Sequence, residues 1–378
     1  MRTLVRLARS RRVRRIGVVL LLAGCAGLAT AAAAFLIVAG RAQRDFRPVL
    51  EALSPERSAL IARIPKYRRA EESTYLTFSE WYLVFNPQEY AEFLRSYPPS
   101  QFPYWKSLRQ IWGGYAQVYA IARRHYPFNG GDHLSIVVIA TSATIEWVIK
   151  GAYENTIGRL SEWIGGGSST AEDRYAAEVA REYGDFVPTR PFFEFPFGHR
   201  LIGLWSKTDF FGPHFIRKCE RKFFLSLEYG VKWIYSAAIR AGSHAVYGVA
   251  DTEVFASATN ISDAAFATPG VRKVQPLGDG AWIITVPHYQ GFTDTVPLLA
   301  QQGVHFEEIA GNDEIMLTLI APTAWRYDLS AGRPLFTMEL LSGTGFERVA
   351  VQAPIKSLDQ MLREIATKGL RLEHLFDY

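Results

Sequence analysis

An internal duplication in the middle of the chain limits its possible folds more than any other feature. When the chain is compared with itself at an offset of 93 residues, nine positions are identical and no gap is needed. The first copy contributes Tyr82, Glu89, Tyr90, Phe93, Pro98, Phe102, Pro103, Leu108 and Trp112, and the second contributes Tyr175, Glu182, Tyr183, Phe186, Pro191, Phe195, Pro196, Leu201 and Trp205. Either copy alone leaves an apolar face uncovered, so we expect the two copies to pack on each other.

The similarity resumes further along the chain at an offset of 82 residues. There the matching positions are Glu146, Trp147, Lys150 and Tyr153 in the first copy and Glu228, Tyr229, Lys232 and Tyr235 in the second. The first copy therefore carries an 11-residue insertion, which the turn-forming residues at 126–132 accommodate. We predict a helical domain at 72–247 made of two repeats, at about 75–164 and 170–247, each with a helix, a Phe-Pro-aromatic turn and further helix.

Each copy places a glutamate four residues before a lysine, the favourable order for a side-chain pair on a helix. The pairs are Glu146 with Lys150 and Glu228 with Lys232, and their flanks are otherwise strongly apolar. Partial burial is expected, and the pairs are interpreted as holding the two repeats together. Two alternatives stay open. The pairs could form the polar floor of a cleft between the repeats, or residues 134–152 could cross a bilayer, which their charges disfavour.

A stretch of 25 residues without a charge occupies positions 16–40. As a helix with a rise of about 1.5 Å per residue it is longer than the ~30 Å hydrocarbon layer of a bilayer. Seven arginines precede it within residues 1–15, against three in the ten residues that follow, and the more basic flank normally stays in the cytoplasm. We predict a single-pass anchor in a bacterial inner membrane, with residues 1–15 cytoplasmic, a connector at 41–71 and the bulk of the chain extracytoplasmic.

Two other interpretations of this segment stay open. Residues 22–25 resemble the processing box of bacterial lipoproteins, which would make Cys25 a lipidated N-terminus, although fifteen uncharged residues follow where a polar tether is usual. The alanine-rich residues 29–34 could instead be cut by a signal peptidase, although the apolar region exceeds the usual length of about 7–15 residues. A plain anchor is the simplest interpretation of the whole segment.

The composition changes toward Val, Ile and Thr beyond residue 248, which indicates strands. Strands are predicted at 281–287, 304–309, 314–320, 335–341, 346–352 and 370–376, with helices at 293–302 and 358–367. We expect a hairpin between 304–309 and 314–320. Residues 303–309 align with 369–375, so strand-helix-strand units recur in tandem. One antiparallel sheet with helices on one face describes a ferredoxin-like α/β sandwich at 248–378, and makes the chain α+β.

Charge and spacing exclude several classes of function. Outside residues 1–15, 35 basic residues face 37 acidic ones, which leaves no electrostatic footprint for nucleic acid. The eight histidines are never spaced to present two ligands from one helix, so no metal site is predicted. Phosphate-binding loops and nucleophile elbows are absent from the sequence, and we predict no cofactor.

Two weaker candidates for ligand contact remain. His288 and Tyr289 end a predicted strand, and Asp294 follows on the next helical turn. These three side chains could reach a ligand, or the first two could simply cover the edge of the sheet. The aromatic run at 192–197 could line an apolar groove, but is better explained as part of the core of the repeat.

We therefore expect a membrane-anchored envelope protein without catalytic activity. Its duplicated, aromatic-rich units would bind a partner protein or a lipid-like, amphiphilic ligand. An enzyme acting on lipid or cell-envelope material through the four repeated charges is the alternative. A scaffold whose aromatic helices lie on the bilayer surface is a further possibility, since Trp and Tyr favour that interface.

Overall fold

The structure is a computed structural model that describes residues 55–126, 128–246, 252–343 and 345–378. In these ranges helices come first and are followed by two four-stranded antiparallel sheets. The prediction of a mixed helix and sheet chain is therefore confirmed. The predicted cytoplasmic segment 1–15, the anchor at 16–40 and the start of the connector lie outside the described residues.

The helices before the sheets form two similar series. They are α1 (Pro55–Arg63), α2 (Ser73–Phe93), α3 (Tyr104–His125), α4 (Gly130–Tyr153), α5 (Arg159–Ile164), α6 (Ala171–Phe186), α7 (Phe197–Lys207) and α8 (Phe215–Val246). A π-helical turn at Glu154–Gly158 joins α4 to α5, and 3-10 turns at Pro99–Gln101 and Phe192–Glu194 precede α3 and α7. Helix α2 with its 3-10 turn, α3 and α4 thus recurs as α6 with its 3-10 turn, α7 and α8.

The duplicated sequence takes the same local backbone structure twice. Pro103 stands directly before α3 with φ −79° and ψ 63°, and Pro196 stands before α7 with φ −80° and ψ 60°. Proline suits this position because its φ is already fixed and it leaves no N–H unpaired. Phe102 and Phe195, one residue earlier, are both extended. The chain therefore enters its second helix in the same way in both copies.

The aromatic side chains also pack alike in the two copies. Tyr90 meets Phe102 edge to face with ring centroids 4.9 Å apart, and Tyr183 meets Phe195 in the same way at 5.1 Å. An edge-to-face pair of this kind contributes about 0.5–1.5 kcal/mol beyond the burial of its area. The phenylalanine of each Phe-Pro turn is therefore a packing anchor for the first helix of its own copy.

The C-terminal region contains two sheets where the sequence predicted one. Its elements are β1 (Glu253–Thr259), α9 (Asp263–Phe266), β2 (Arg272–Gly278), β3 (Ala281–Pro287), α10 (Gln290–Gln301), β4 (His305–Ile309), β5 (Glu314–Pro322), β6 (Arg333–Glu339), β7 (Phe346–Pro354), α11 (Leu358–Thr367) and β8 (Arg371–Phe376). The strand orders are β2-β3-β1-β4 and β6-β7-β5-β8. Strands β1 and β2 were missed because β1 is rich in Ala and Ser, and β2 is an exposed edge strand without alternating burial.

The predicted hairpin between 304–309 and 314–320 is wrong. Strand β4 pairs with β1 in the first sheet, whereas β5 lies between β7 and β8 in the second. Ala310 and Gly311 both have positive φ, 49° and 65°, and redirect the chain between the sheets. The two sheets nevertheless share one buried apolar core with helices α10 and α11.

The helical region packs on the outer side of the second sheet through α2. The Thr74 hydroxyl donates a hydrogen bond to the Phe376 carbonyl at 2.6 Å and accepts one from the Met316 N–H at 2.9 Å. The ring of Phe78 packs nearby, edge to face on Phe336 with ring centroids 5.1 Å apart. Helix α2 therefore belongs both to the first repeat and to the interface with the sheet.

Residues 130–164 form one continuous helical run through α4, the π turn and α5. By length and composition this run could cross a membrane. Only 28% of its most apolar 18-residue window is buried, so it differs from the core helix of an ordinary globular protein. This candidate membrane span lies in the first repeat, at a different place in the sequence from the predicted N-terminal anchor.

Candidate functional site

The two Glu-Lys pairs meet where the repeats pack together. Lys150 Nζ lies 2.9 Å from Glu228 Oε1, and Lys232 Nζ lies 2.7 Å from Glu146 Oε1, so each lysine pairs with the glutamate of the other copy. Lys232 also contacts Glu228 of its own helix at 3.1 Å. Position 146 pairs with 232 and position 150 pairs with 228, so α4 and α8 are antiparallel here. The predicted residues form one cluster, which we name the inter-repeat cluster.

Aromatic rings surround the inter-repeat cluster symmetrically. Lys150 Nζ lies 4.4 Å from the ring centroid of Tyr90, and Lys232 Nζ lies 5.5 Å from that of Tyr183. Tyr90 and Tyr183 are equivalent positions of the duplication. An ammonium group within about 6 Å of a ring face is attracted by the ring. Each lysine is thus held by a carboxylate of the other copy and by a tyrosine of its own.

The cavity beside these charges is small. Its volume is about 50 Å³, and its walls include all four residues of the inter-repeat cluster. About 10–15 Å³ of such volume holds one water molecule, so the cavity has room for a few waters. Glu228 is 12% exposed, whereas Glu146 at the edge is 44% exposed. The geometry is that of an ion-pair clamp with a single partly open side.

The clamp should be visible in the pH dependence of stability. Burial by itself raises the pKa of Glu228, but the ammonium groups of Lys150 and Lys232 lower it to about 2. A depressed pKa contributes stability above the ordinary value near 4.5 that is lost as the pH falls toward 2. We expect the difference in melting temperature between wild type and Glu228→Gln to be largest near neutral pH and to shrink across that acid range.

The measurement is thermal unfolding of the full chain in mild detergent at several pH values. Glu92→Gln, which changes an exposed carboxylate on α2, is the control and should follow the wild type throughout. If Glu228→Gln lost stability in acid as steeply as the wild type, the clamp would not be electrostatic.

A second group of buried charges continues from the inter-repeat cluster. Arg221 contacts Glu154 at 2.8 Å and Asp173 at 3.2 Å, and Arg217 contacts Asp173 at 2.9 Å and Glu220 at 3.0 Å. The Glu154 and Arg221 side chains are 0% and 1% exposed. Sequence reasoning missed this group, which we name the arginine cluster. The available signal was the spacing of its arginines four apart in the charged first turns of α8.

The π-helical turn positions the carboxylate of the arginine cluster. It begins at Glu154 and ends at Gly158, where a Cβ atom would collide with the Glu154 carboxylate. The absence of a side chain at Gly158 therefore leaves room for Glu154 to turn inward toward Arg221. Turns of this type are frequent at functional sites. Here the turn positions Glu154 for its ion pair with Arg221. Arg221 also lines the cavity of the inter-repeat cluster.

The arrangement of the inter-repeat cluster and the arginine cluster favours a structural role over a catalytic one. Each described charge of the two clusters lies against an opposite charge, and the adjoining cavity has room for a few waters only. A general base needs access to a substrate proton, and in the inter-repeat cluster only Glu146, at the open edge and paired with Lys232, has it. Among the described residues, no group of three or more His, Cys, Asp or Glu side chains is placed to hold a metal ion.

His288 and Tyr289 lie where the C-terminus packs against the first sheet. The His288 ring contacts the Arg69 guanidinium and lies within 3.3 Å of the Tyr378 carbonyl. Tyr289 has a positive φ of 58°, and its N–H donates to Asp377 Oδ2 at 2.6 Å. This hydrogen bond holds the backbone in a conformation that a tyrosine rarely adopts. The pair therefore serves the packing of the chain end.

Asp294 does not join that pair. Its carboxylate accepts a hydrogen bond from the Gln290 side chain at 2.9 Å on the exposed side of α10. Asp377 takes its place beside His288, 3.7 Å away. Burial raises the pKa of Asp377 to about 7, although the Tyr289 N–H and Arg69 oppose the rise.

The aromatic run at 192–197 divides between core and surface. Phe195 and Phe197 are buried in the core of the second repeat. Phe192 is partly exposed and stacks on Tyr235 with centroids 5.6 Å apart. An open groove of about 250 Å³ passes along Phe195, Phe197 and Trp233. The run thus contributes to the core and to one wall of a shallow groove.

The largest feature that sequence reasoning did not locate is an exposed apolar surface along α4, α5, α7 and α8. On α8, every exposed position between 215 and 238 is apolar or tyrosine, namely Phe215, Ile216, Phe223, Leu227, Val231, Trp233, Ile234, Tyr235, Ala237 and Ala238. The exposed apolar positions of α4 and α5 include Leu134, Val138, Ile145, Val148, Ile149, Leu160, Trp163 and Ile164, and α7 adds Ile202 and Trp205. We name these residues the apolar face.

Contacts between the helices place the stripes of α4 and α8 side by side. The hydroxyl oxygens of Ser142 and Tyr235 are 3.3 Å apart, and Ser142 shares a helical face with Ile145 and Ile149. The positions equivalent to Ser142 and Tyr235 in the duplication, Phe224 and Tyr153, also meet, with ring centroids 4.0 Å apart. Exposed apolar positions of the two helices therefore lie close together, and apolar positions grouped in this way are a candidate interaction surface.

Comparison of the chain with protein-family models, with curated proteins and with solved structures gives no match.

Proposed function

We propose that this chain is a membrane-anchored, non-catalytic binding or assembly protein whose working surface is the apolar face. The observation that carries the proposal is the contrast between that face and the charges beneath it. The charges of the inter-repeat cluster form ion pairs between the repeats, whereas the exposed positions of α8 from Phe215 to Ala238 carry no charge. The duplication thus supplies a rigid support that holds two long helices side by side.

Residues 16–40 are proposed to anchor the protein in a bacterial inner membrane, with residues 1–15 cytoplasmic and the body extracytoplasmic. The basic flank at 1–15 supports this orientation. For the C-terminal region, the strand order β2-β3-β1-β4 and its repetition as β6-β7-β5-β8 support a ferredoxin-like architecture for each sheet. Such a fold is compatible with many functions, so the proposal does not depend on it.

The proposal is tested by native mass spectrometry of full-length protein released from its own membranes in mild detergent. We expect additional bound mass on the wild type and its loss when Leu227, Val231 and Ile234 are all changed to asparagine. Val274→Asn with Leu277→Asn is the matched control, since both positions are exposed and apolar but lie on β2. Wild type without bound mass, or bound mass that survives the triple change, would contradict the proposal.

A second candidate function is an enzyme that acts on lipid or envelope material through the inter-repeat cluster. The observation in its favour is the cavity that touches Glu146, Lys150, Glu228 and Lys232. Turnover of a phospholipid or peptidoglycan fragment by the full chain, abolished in Glu146→Gln, would establish it. The absence of turnover is expected, because both glutamates are engaged in ion pairs with lysines and the adjoining cavity is small.

A further inference from the structure

We infer that the partner of the apolar face is the lipid bilayer itself, with α4 and α8 lying in the plane of the extracytoplasmic leaflet. This inference rests on the proposed function and specifies what the binding surface contacts. A partner protein and a second copy of this chain are the competing occupants. Three properties of the face and of its attachment to the rest of the chain favour lipid.

The first property is the lack of polar groups along α8. The segment from Phe215 to Ala238 is about 36 Å long at 1.5 Å per residue, and none of its exposed positions carries a charge or an amide. A protein interface normally includes a polar rim and about ten hydrogen bonds. Hydrocarbon offers no hydrogen bonds, and so it selects surfaces without polar groups. A face built in this way is matched to acyl chains.

The second property is the placement of indole and charged groups. Trp163 at the end of α5 is 77% exposed, and Trp205 is 52% exposed while its indole N–H donates to Ser226 at 2.9 Å. Trp favours the boundary between headgroups and acyl chains. The exposed charges near the ends of α5, α7 and α8 are Arg159, Glu194, Lys207, Asp209 and Arg240. Three cations against two carboxylates leave a small cationic excess, which suits the anionic headgroups of such a leaflet.

The third property is the distance to the predicted anchor. Fourteen residues, 41–54, separate the uncharged segment from the start of α1 at Pro55. An extended chain of that length spans at most about 50 Å. Helix α1 packs against the first sheet through Leu60, which lies in the same cluster as Ile283. The folded body is thus held within reach of the bilayer that contains residues 16–40, and lying on it requires no additional partner.

The two lysine-glutamate contacts explain how charged helices can lie at this boundary. Helix α8 carries Glu228 and Lys232 on the side toward the other repeat, one residue away from Leu227 and Val231 on the exposed side. On α4, Lys150 is likewise buried next to the exposed Ile149, whereas Glu146 lies at the edge and is 44% exposed. The apolar face would enter the headgroup boundary by about 5–10 Å. The ion pairs would then remain on the side of the helices that faces the rest of the protein.

The test uses fluorescence quenching on the full chain in vesicles of phosphatidylethanolamine and phosphatidylglycerol. A single cysteine is introduced as Val231→Cys in a Cys25→Ala, Cys219→Ala background, labelled with bimane in detergent and reconstituted. Leu277→Cys on β2 is the matched control, an exposed apolar position outside the apolar face. Aqueous iodide and nitroxide lipids, labelled either near the headgroup or near the chain end, are the quenchers.

We expect the label at Val231→Cys to be quenched several-fold more by the shallow nitroxide lipid than the label at Leu277→Cys, and to be shielded from iodide. Stronger quenching by the deep nitroxide would overturn the inference in favour of a membrane-crossing helix. Shielding from both quenchers would overturn it in favour of a protein contact or a second copy, while the proposed binding surface would stand. Full access of iodide to Val231→Cys would contradict both the inference and the use of this face for binding.

Discussion

Replacing Arg221 by methionine is expected to lower the free energy of unfolding by about 3–5 kcal/mol, because removing one partner of a buried ion pair leaves the other charge uncompensated. Arg221 is 1% exposed and contacts both Glu154 and Asp173. Burial alone would lower the pKa of Arg221, but the neighbouring carboxylates raise it well above its ordinary value. The guanidinium is therefore charged at every pH at which the protein folds, and Glu154 depends on it.

Denaturant unfolding of the full chain in mild detergent measures this effect. Arg95→Met is the control, since Arg95 forms an exposed pair with Glu92 on the surface of α2. An exposed pair contributes less than about 1 kcal/mol. Equal losses in Arg221→Met and Arg95→Met would show that the arginine cluster does not hold the repeats together.

Replacing Arg348 by methionine is expected to have an effect of similar size, about 3–5 kcal/mol, at the interface between helices and sheet. Arg348 on β7 donates to Glu89 of α2 at 2.8 Å and to Glu373 of β8 at 2.5 Å. Glu89 also accepts a hydrogen bond from the Leu341 N–H. Without the guanidinium, the buried Glu89 and the partly buried Glu373 remain together with like charge.

The double variant Arg348→Met, Glu89→Gln provides an internal check on this prediction. Neutralising Glu89, one of the two carboxylates left without their arginine, should restore part of the lost stability, because the effects of neighbouring sites are not additive. Arg363→Met is the surface control, as Arg363 is 45% exposed and pairs with Asp359. If Arg348→Met were as stable as Arg363→Met, the ion pairs of Arg348 would not be what fixes α2 to the sheet.

Periodicity and repeats predicted much of the secondary structure. The strand predicted at 281–287 and the helix at 358–367 coincide with β3 and α11. Strand β3 is a short apolar run that follows a glycine-containing turn, and α11 repeats apolar residues at helical spacing; both are strong local signals. Strand β2 gave no such signal because it lies at a sheet edge with little burial. Local pattern also could not separate β4 from β5, since only their pairing partners place them in different sheets.

The candidate site was predicted in part for a similar reason. The duplication pointed to Glu146, Lys150, Glu228 and Lys232, because equivalent positions of two copies tend to meet at a pseudo-symmetric interface. It did not point to Arg221, whose partners Glu154 and Asp173 come from a π turn and from another helix. The apolar face was hidden for another reason. In the sequence, an apolar residue exposed on a helix looks the same as one buried in a core.

The central claim is that the apolar face binds and that the inter-repeat cluster supports it. Native mass spectrometry of Glu228→Gln beside the Leu227, Val231, Ile234 triple asparagine variant, both released from membranes as full chains, tests this claim most directly. The account predicts that bound mass is retained by Glu228→Gln and lost from the triple variant. Loss of bound mass from Glu228→Gln, with retention by a folded triple variant, would contradict it and place the binding site at the charges.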